Sequence, residues 1–355
     1  MWRKGLRGDV IASEAKQSRF SLKKFNVAIL GVTGAVGQEF LAILEQRKFP
    51  VSELRLLASP RSAGKKVKFR DREIAIEEAR PNSFKGIDIV LSSAGSAVSR
   101  ELVPHAVKAG AVVVDNTSAF RMDPAVPLVI PEINPEDIAK HKGVIANPNC
   151  STFIMLVPLF PLHRAAKIRR VVAATYQAAS GAGAKAMQEL ETQSHEILHG
   201  KPPTKSVFPH QIAFNIFSHN SPITDGGYCE EEIKMMKETR KIFHDESIRV
   251  VATTVRVPVF RAHSEALFIE LGKKMSAEEV RRILSKAPGV RVVDDRKKNY
   301  FPMPVEAAGT DDVFVGRIRE DQTVENGIAL FVSGDQLRKG AALNAVQITE
   351  LLLTA

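Results

Sequence analysis

The chain has 355 residues, enough for two domains that each bury a core. Its 44% hydrophobic and 25% charged residues are those of an ordinary soluble globular protein, and without an apolar run of about 18 residues it has no candidate membrane span. The net charge of +10 comes from scattered Lys and Arg with no basic stripe or interleaved aromatics, which argues against nucleic acid and for anionic small molecules.

Residues 1–24 are polar and basic and lack the apolar stretch of a secretory signal. Asp9 and Glu14 argue against an organellar targeting peptide, so the segment reads as an extension outside the folded domains. At Phe25 the pattern changes. FNVAIL is followed by GVTGAVG and then by apolar Phe40, Leu41, Ile43 and Leu44, which predicts a strand, a glycine turn and an amphipathic helix. Further strands are predicted in LRLLAS (54–59), IDIVLSS (87–93) and AVVVDNTS (111–118). A helix over 96–110 stops at Gly110, with Pro104 expected to shorten or kink it. Strands alternating with helices imply a parallel sheet with right-handed crossovers. The fold class is therefore α/β: a doubly wound Rossmann-type domain over 25–149, completed by the C-terminal helix at 336–355.

A second domain is expected over 150–335. STFIMLVPLFPLHRAA reads as a buried helix opened by polar capping residues and disturbed by its prolines. IRRVVAATYQAAS is a strong strand signal, GAGAKAMQELETQSHEILHG a glycine turn and helix, and KPPTKSVFPHQ a loop. EEEIKMMKETRKIF predicts an amphipathic helix. SIRVVATTVRVPV, EALFIELG and DVFVGRIRED predict strands of a mixed sheet in an α+β domain, and the chain closes on one more strand and helix.

Gly31, Gly34 and Gly37 follow the first strand and open a helix in a GxxGxxG variant of the dinucleotide fingerprint. Glycine lets the backbone approach a pyrophosphate, and the helix N-terminus favours the anion. An NAD site usually carries a carboxylate at the end of the second strand. Here that strand ends in Ser59-Pro60-Arg61-Ser62, so Arg61 and Ser62 stand where a 2′-phosphate would sit and the cofactor reads as NADP. A solvated turn arginine is the plain alternative.

Two cysteines make no disulfide framework and suit a reducing cytoplasm, and neither they nor the nine histidines show metal-ligand spacing. NPNCST places Cys150 at a helix start, where the positive helix end lowers a thiol pKa and supplies thiolate; an inert buried thiol is the alternative. Cys229 is followed directly by a run of glutamates that should raise its pKa, and reads as structural. A thiolate nucleophile wants a base. His263, in RVPVFRAHSE, is the leading histidine; His195 and His199 lie on a polar helix and are expected in solvent.

NPNCST, YQAASGAG, EEEIKMMKET and RVPVFRAHSE, in order after GVTGAVG and NTSAFRMD, resemble the signature stretches of aspartate-semialdehyde dehydrogenases; SGDQLRKGAA resembles that family's C-terminal cofactor segment. The resemblance runs from about Phe25 to Ala355. It implies Cys150 as nucleophile, His263 as acid/base, and Gln177 as the residue that orients substrate and intermediate. It further implies Arg256 on the substrate carboxylate, Glu231 on the substrate amino group with Glu232 as an adjacent candidate, and Arg121 with Lys234 on inorganic phosphate. Thr33, Gly34, Ala35, Val36, Arg61, Ser62, Ser180, Gly181 and Gln336 match cofactor contacts, and the family implies a homodimer formed through the second domain.

Read alone, Lys234 could be a surface ion pair with Glu230 and Glu231, and Arg256 a solvated strand position. The nearest alternative enzyme is an N-acetyl-gamma-glutamyl-phosphate reductase; the acidic run at Glu230 to Glu232 favours a free amino group instead. A glyceraldehyde-phosphate dehydrogenase fits less well around the cysteine. A non-catalytic NADP-binding regulator leaves Cys150 and the phosphate cations without a purpose.

Overall fold

The computed structural model describes residues 24–353, so the N-terminal extension as far as residue 23 lies outside the described residues. The described residues form two seven-stranded sheets. The first holds β1 (Phe25–Leu30), β2 (Val51–Ala58), β3 (Lys66–Phe69), β4 (Arg72–Glu78), β5 (Ile89–Ser92), β6 (Val112–Asp115) and β7 (Val144–Ala146), in the order 3-4-2-1-5-6-7. All neighbours are parallel except β3 with β4.

Strand β1 shows why the apolar run is continuous. Val27 and Ile29 enter one core with helix α1 (Ala35–Gln46), while Ala28 and Leu30 enter another with helix α2 (Ser96–Lys108). Period-two geometry thus divides one run between two covered faces. Helix α2 keeps its length through Pro104, so the expected shortening does not occur.

Sequence reading passed over β3, β4 and β7. KVKF and REIAIEE do alternate at period two, but charges dominate their exposed face and the hairpin turns on Arg70 at φ 54°.

The second sheet holds β8 (Ile168–Gln177), β9 (Phe217–Ser218), β10 (Arg249–Arg256), β11 (His263–Leu271), β12 (Val290–Val292), β13 (Val313–Asp321) and β14 (Gly327–Gly334), in the order 12-13-14-11-8-10-9. It is mixed, as expected: β8 is parallel to β10 and antiparallel to β11. One face packs against α3 (Cys150–Ala166), α5 (Glu230–Phe243) and α6 (Ala277–Leu284). The other face shows Tyr176 and Phe268 to solvent. Helix α4 (Ala184–Leu198) and the short α7 (Pro304–Ala307) lie on connections.

Helix α3 runs unbroken through Pro158 and Pro161, against the expectation that they disturb it. It is buried along almost its whole length, and packing on all sides outweighs the hydrogen bonds its prolines cannot donate. The closing helix starts with one π turn at Arg338–Ala342 and continues as α8 (Leu343–Leu352), which packs Leu343, Val346 and Ile348 back onto the first domain.

Candidate active site

Two helix starts face one cavity of about 400 Å³. Gly34, Ala35 and Val36 line it from the first domain, Cys150, Ser180 and Gly181 from the second and Gln336 from the C-terminal segment, with Arg121 and Lys234 at its side. A roomier cleft of about 780 Å³, between the 122–142 segment and the end of α5, contains neither the cysteine nor the glycine turn. The chemistry therefore points to the smaller cavity.

The three glycines divide the work. A Cβ on Gly31, which has φ 93°, would meet the Ser93 backbone at 2.8 Å, and one on Gly37 would meet the Gly31 carbonyl oxygen at 2.3 Å. Those two allow close packing of turn on strand. Gly34 is the one that faces the cavity, and among the described residues no side chain caps α1 there, which leaves its first N–H groups for an anion. A nicotinamide dinucleotide therefore fits this turn. Thr33 is exposed beside it. Arg61 and Ser62 occupy a single 3-10 turn directly after β2, the parallel neighbour of β1, so both loops leave the same end of the sheet.

Cys150 is the first residue of α3. Asn149 caps that helix, its Oδ1 accepting from Ser151 N and Thr152 N at 3.0 and 3.1 Å. The cap does not deliver the low thiol pKa expected from the sequence. Burial, and then the charge of Glu231, push the thiol up to about 12 against Arg256, Arg121 and the Ser151 amide, even though part of the residue reaches the cavity. Desolvation of a thiolate outweighs the helix end here. Cys229 is buried against Thr254 Oγ1 at 3.3 Å, away from this cavity, in keeping with a structural thiol.

The upper end of the second sheet gathers Gln177, Arg256 and His263. Gln177 and Arg256 are register partners at the ends of the parallel strands β8 and β10, and His263 opens β11 beside them. All three are buried. Gln177 Nε2 donates to Ser151 Oγ at 2.7 Å, one residue from Cys150. Arg256 donates to the Ala178 carbonyl at 3.2 Å and, from Nη2, to His219 Nε2 at 2.9 Å. It is not the solvated strand residue that alternation alone allows. Gly181 is required by this crowding: a Cβ would stand 2.8 Å from Arg256 Nη1 and 2.9 Å from His263 Nε2.

His263 Nδ1 accepts from Ala178 N–H at 3.0 Å, which leaves the ring proton on Nε2, a buried nitrogen with no partner among the described residues. Burial and then Arg256 hold its pKa down at about 3, so the ring is neutral near pH 7. This histidine offers a hydrogen-bond donor; serving as a base requires the Ala178 contact to break. His195 and His199 are exposed, as the sequence suggested.

Helix α5 brings Glu231, Glu232 and Lys234. Glu231 is buried, accepts from Asn149 Nδ2 at 2.7 Å and pairs with Lys234 at 3.4 Å. Burial opposes its ionisation, but His219, Lys234, the Asn149 amide and Arg256 together hold its pKa at about 2. His219, itself held down at about 4 by burial and Arg256, adds its charge only in acid. Glu232 turns away and caps α5, accepting from Cys229 N and Thr254 N at 3.0 Å each, so geometry separates the two neighbours. The surface ion pair considered for Lys234 does form, but at the cavity wall.

Sequence reading missed His219, Glu238 and Lys241. His219 sits in an irregular loop with no periodic signal. Glu238 and Lys241 follow Lys234 at i+4 and i+7, a spacing that shares a helix face and could have been read.

A doubly wound nucleotide sheet whose glycine turn shares one cavity with a helix-start cysteine, near buried arginines and a carboxamide, has the features of a dehydrogenase. Residues 26–141 match the semialdehyde dehydrogenase NAD binding domain, and residues 159–339 the semialdehyde dehydrogenase dimerisation domain. The chain is 58% identical over 327 residues to aspartate-semialdehyde dehydrogenase of Synechocystis sp., covering 92% of this chain and 97% of that one. It superimposes with a TM-score of 0.91 and 46% identity on aspartate semialdehyde dehydrogenase II from Vibrio cholerae complexed with ASA, covering 94% and 99% of the two chains. The Candida albicans enzyme with NADP gives a TM-score of 0.71 at 26% identity, covering 93% and 98%. The chain belongs to the aspartate-semialdehyde dehydrogenase family.

Proposed function

We propose that the chain interconverts L-4-aspartyl phosphate and L-aspartate 4-semialdehyde with NADP, through an acyl-thioester on Cys150, in biosynthesis of the aspartate-family amino acids. The observation that carries this is the single cavity shared by Cys150, the uncapped glycine turn and the cations Arg121 and Lys234. NADP, when bound, supplies the hydride acceptor or donor; the uncapped α1 start suits its pyrophosphate, and Arg61 with Ser62 suits a 2′-phosphate.

In the oxidative direction Cys150 sulfur, as thiolate, adds to the aldehyde carbon and the carbonyl becomes an oxyanion. The Nε2–H of His263 holds that oxygen, and the Gln177 carboxamide orients the adduct. Loss of hydride leaves the thioester. A phosphate oxygen then attacks its carbonyl carbon, the C–S bond breaks, and the thiolate returns as acyl phosphate departs. Arg256 takes the substrate carboxylate, Glu231 its ammonium group, and Arg121 with Lys234 the phosphate charge.

A homodimer through the second domain fits the matched dimerisation family, and two free thiols suit the cytoplasm. Among the described residues no helix is long and apolar enough to cross a membrane. The test is NADPH formation from aspartate semialdehyde with and without phosphate, and with NAD in place of NADP, for the wild type and Cys150→Ser. Serine-variant activity equal to wild type refutes the thioester, and equal rates with NAD refute the reading of Arg61 and Ser62.

A further inference from the structure

Glu238 lies outside the cavity wall and is buried, yet both its oxygens are committed to the active site. Oε1 accepts from Arg121 Nη1 at 3.1 Å, and Oε2 accepts from the backbone N–H of Asn149 at 2.7 Å. One carboxylate therefore joins the phosphate arginine to the residue that precedes Cys150 and caps its helix.

The rest of Arg121 is equally fixed. Nε donates to the Asn147 carbonyl at 2.8 Å, and Nη2 to the Asn116 carbonyl at 2.7 Å. A guanidinium has five N–H groups. Among the described residues three are taken by protein oxygens, which leaves one N–H on each terminal nitrogen to donate to an oxyanion. Three residues beyond Glu238, Lys241 Nζ donates to the carbonyls of Arg121, Asp123 and Val126 at 2.7, 2.7 and 2.8 Å. One face of α5 thus carries Lys234 at the cavity, Glu238 on the arginine head and Lys241 on the backbone behind it.

We propose that Glu238 is a positioning residue, which aims the remaining N–H groups of Arg121 at phosphate and fixes their distance from the nucleophile's turn. The inference rests on Arg121 being the phosphate cation, as assigned above. Charge alone makes the opposite demand: a carboxylate beside a phosphate site repels the anion, so neutralising it would tighten phosphate binding. Positioning makes neutralisation weaken it. A glutamine has one acceptor oxygen where Glu238 uses two, and its amide nitrogen would face a donor at the other contact.

The experiment compares wild type with Glu238→Gln, measuring KM for phosphate and KM for aspartate semialdehyde in the NADPH-forming assay. The expected result is a phosphate KM raised about tenfold or more, the cost of losing one charge-assisted bond, with a much smaller change in the aldehyde KM. A phosphate KM in the variant equal to or below wild type overturns the inference. A general structural defect shows as parallel loss in both constants, and that also overturns it. If Glu238→Gln does not fold, Glu238→Asp keeps the charge but is too short to span both partners, and the same selective rise in phosphate KM is expected. A wild type with no phosphate dependence refutes the assignment of Arg121 and this inference with it; a wild type that saturates with phosphate while the variants match it refutes the inference alone.

Discussion

The side-chain amide of Asn149 donates to Oε1 of Glu231 at 2.7 Å, joining the cap of the nucleophile's helix to the ionised carboxylate at the start of α5. The same Asn149 gives its backbone N–H to Glu238 and accepts two α3 amides on Oδ1. Removing its side chain as Asn149→Ala deletes a cap worth about 1 kcal/mol and leaves the buried Glu231 short of one donor, while the backbone bond to Glu238 remains, so the loss should exceed the cap alone. Urea unfolding against wild type measures this, and a loss smaller than the cap value would contradict the hub role.

Glu231 is the second cause, after burial, of the high Cys150 thiol pKa. Glu231→Gln removes that charge. Cys150 should then react faster with iodoacetamide at neutral pH, while the proposed role of Glu231 on the substrate ammonium group predicts a higher KM for semialdehyde. Unchanged alkylation would show that Glu231 does not govern the thiol.

With a thiol pKa of about 12, ligand-free Cys150 is mostly protonated at pH 7. Its alkylation rate should climb about tenfold per pH unit between pH 7 and 9, the log-linear limb far below a pKa. Cys150→Ser supplies the background from Cys229. A rate that levels off near pH 7 would mean the helix end dominates burial after all.

His263 and His219 are held at about 3 and 4, below the usual histidine value, by burial and Arg256. The unfolded chain therefore binds more protons below about pH 6.5, and stability falls as the pH drops through that point toward those folded values. His263→Gln should flatten part of this decline in pH-dependent urea unfolding. The same variant should lower kcat about 10²–10³-fold if Nε2–H stabilises the adduct oxygen.

Gly181→Ala places a methyl group 2.8 Å from Arg256 Nη1 and 2.9 Å from His263 Nε2. Backbone φ at Gly181 is not in the left-handed region, so the variant should fold with little change in Tm while kcat/KM falls at least about tenfold. Wild-type kcat/KM in a folded variant would separate Gly181 from the catalytic cluster.

Much of this was open to a sequence reader. The apolar run, glycine turn and amphipathic helix from Phe25 to Gln46 are local patterns, and local patterns set strands, turns and helices before any tertiary contact. Cys150 at a helix start is equally local. The charged hairpin β3–β4 went unread because its polar residues masked a period-two signal.

The sequence by itself determined the main apolar strands and amphipathic helices, their order, and that a thiol and a glycine turn each stand at a helix start. Tertiary structure decided what those groups are worth. Register between β8 and β10 sets Gln177 beside Arg256, residues far apart in the chain. Burial then reverses the effect of the helix end on Cys150, and a backbone amide selects the Nε2–H form of His263. Desolvation and hydrogen-bond partners depend on atoms brought from distant segments, and no local pattern carries that information.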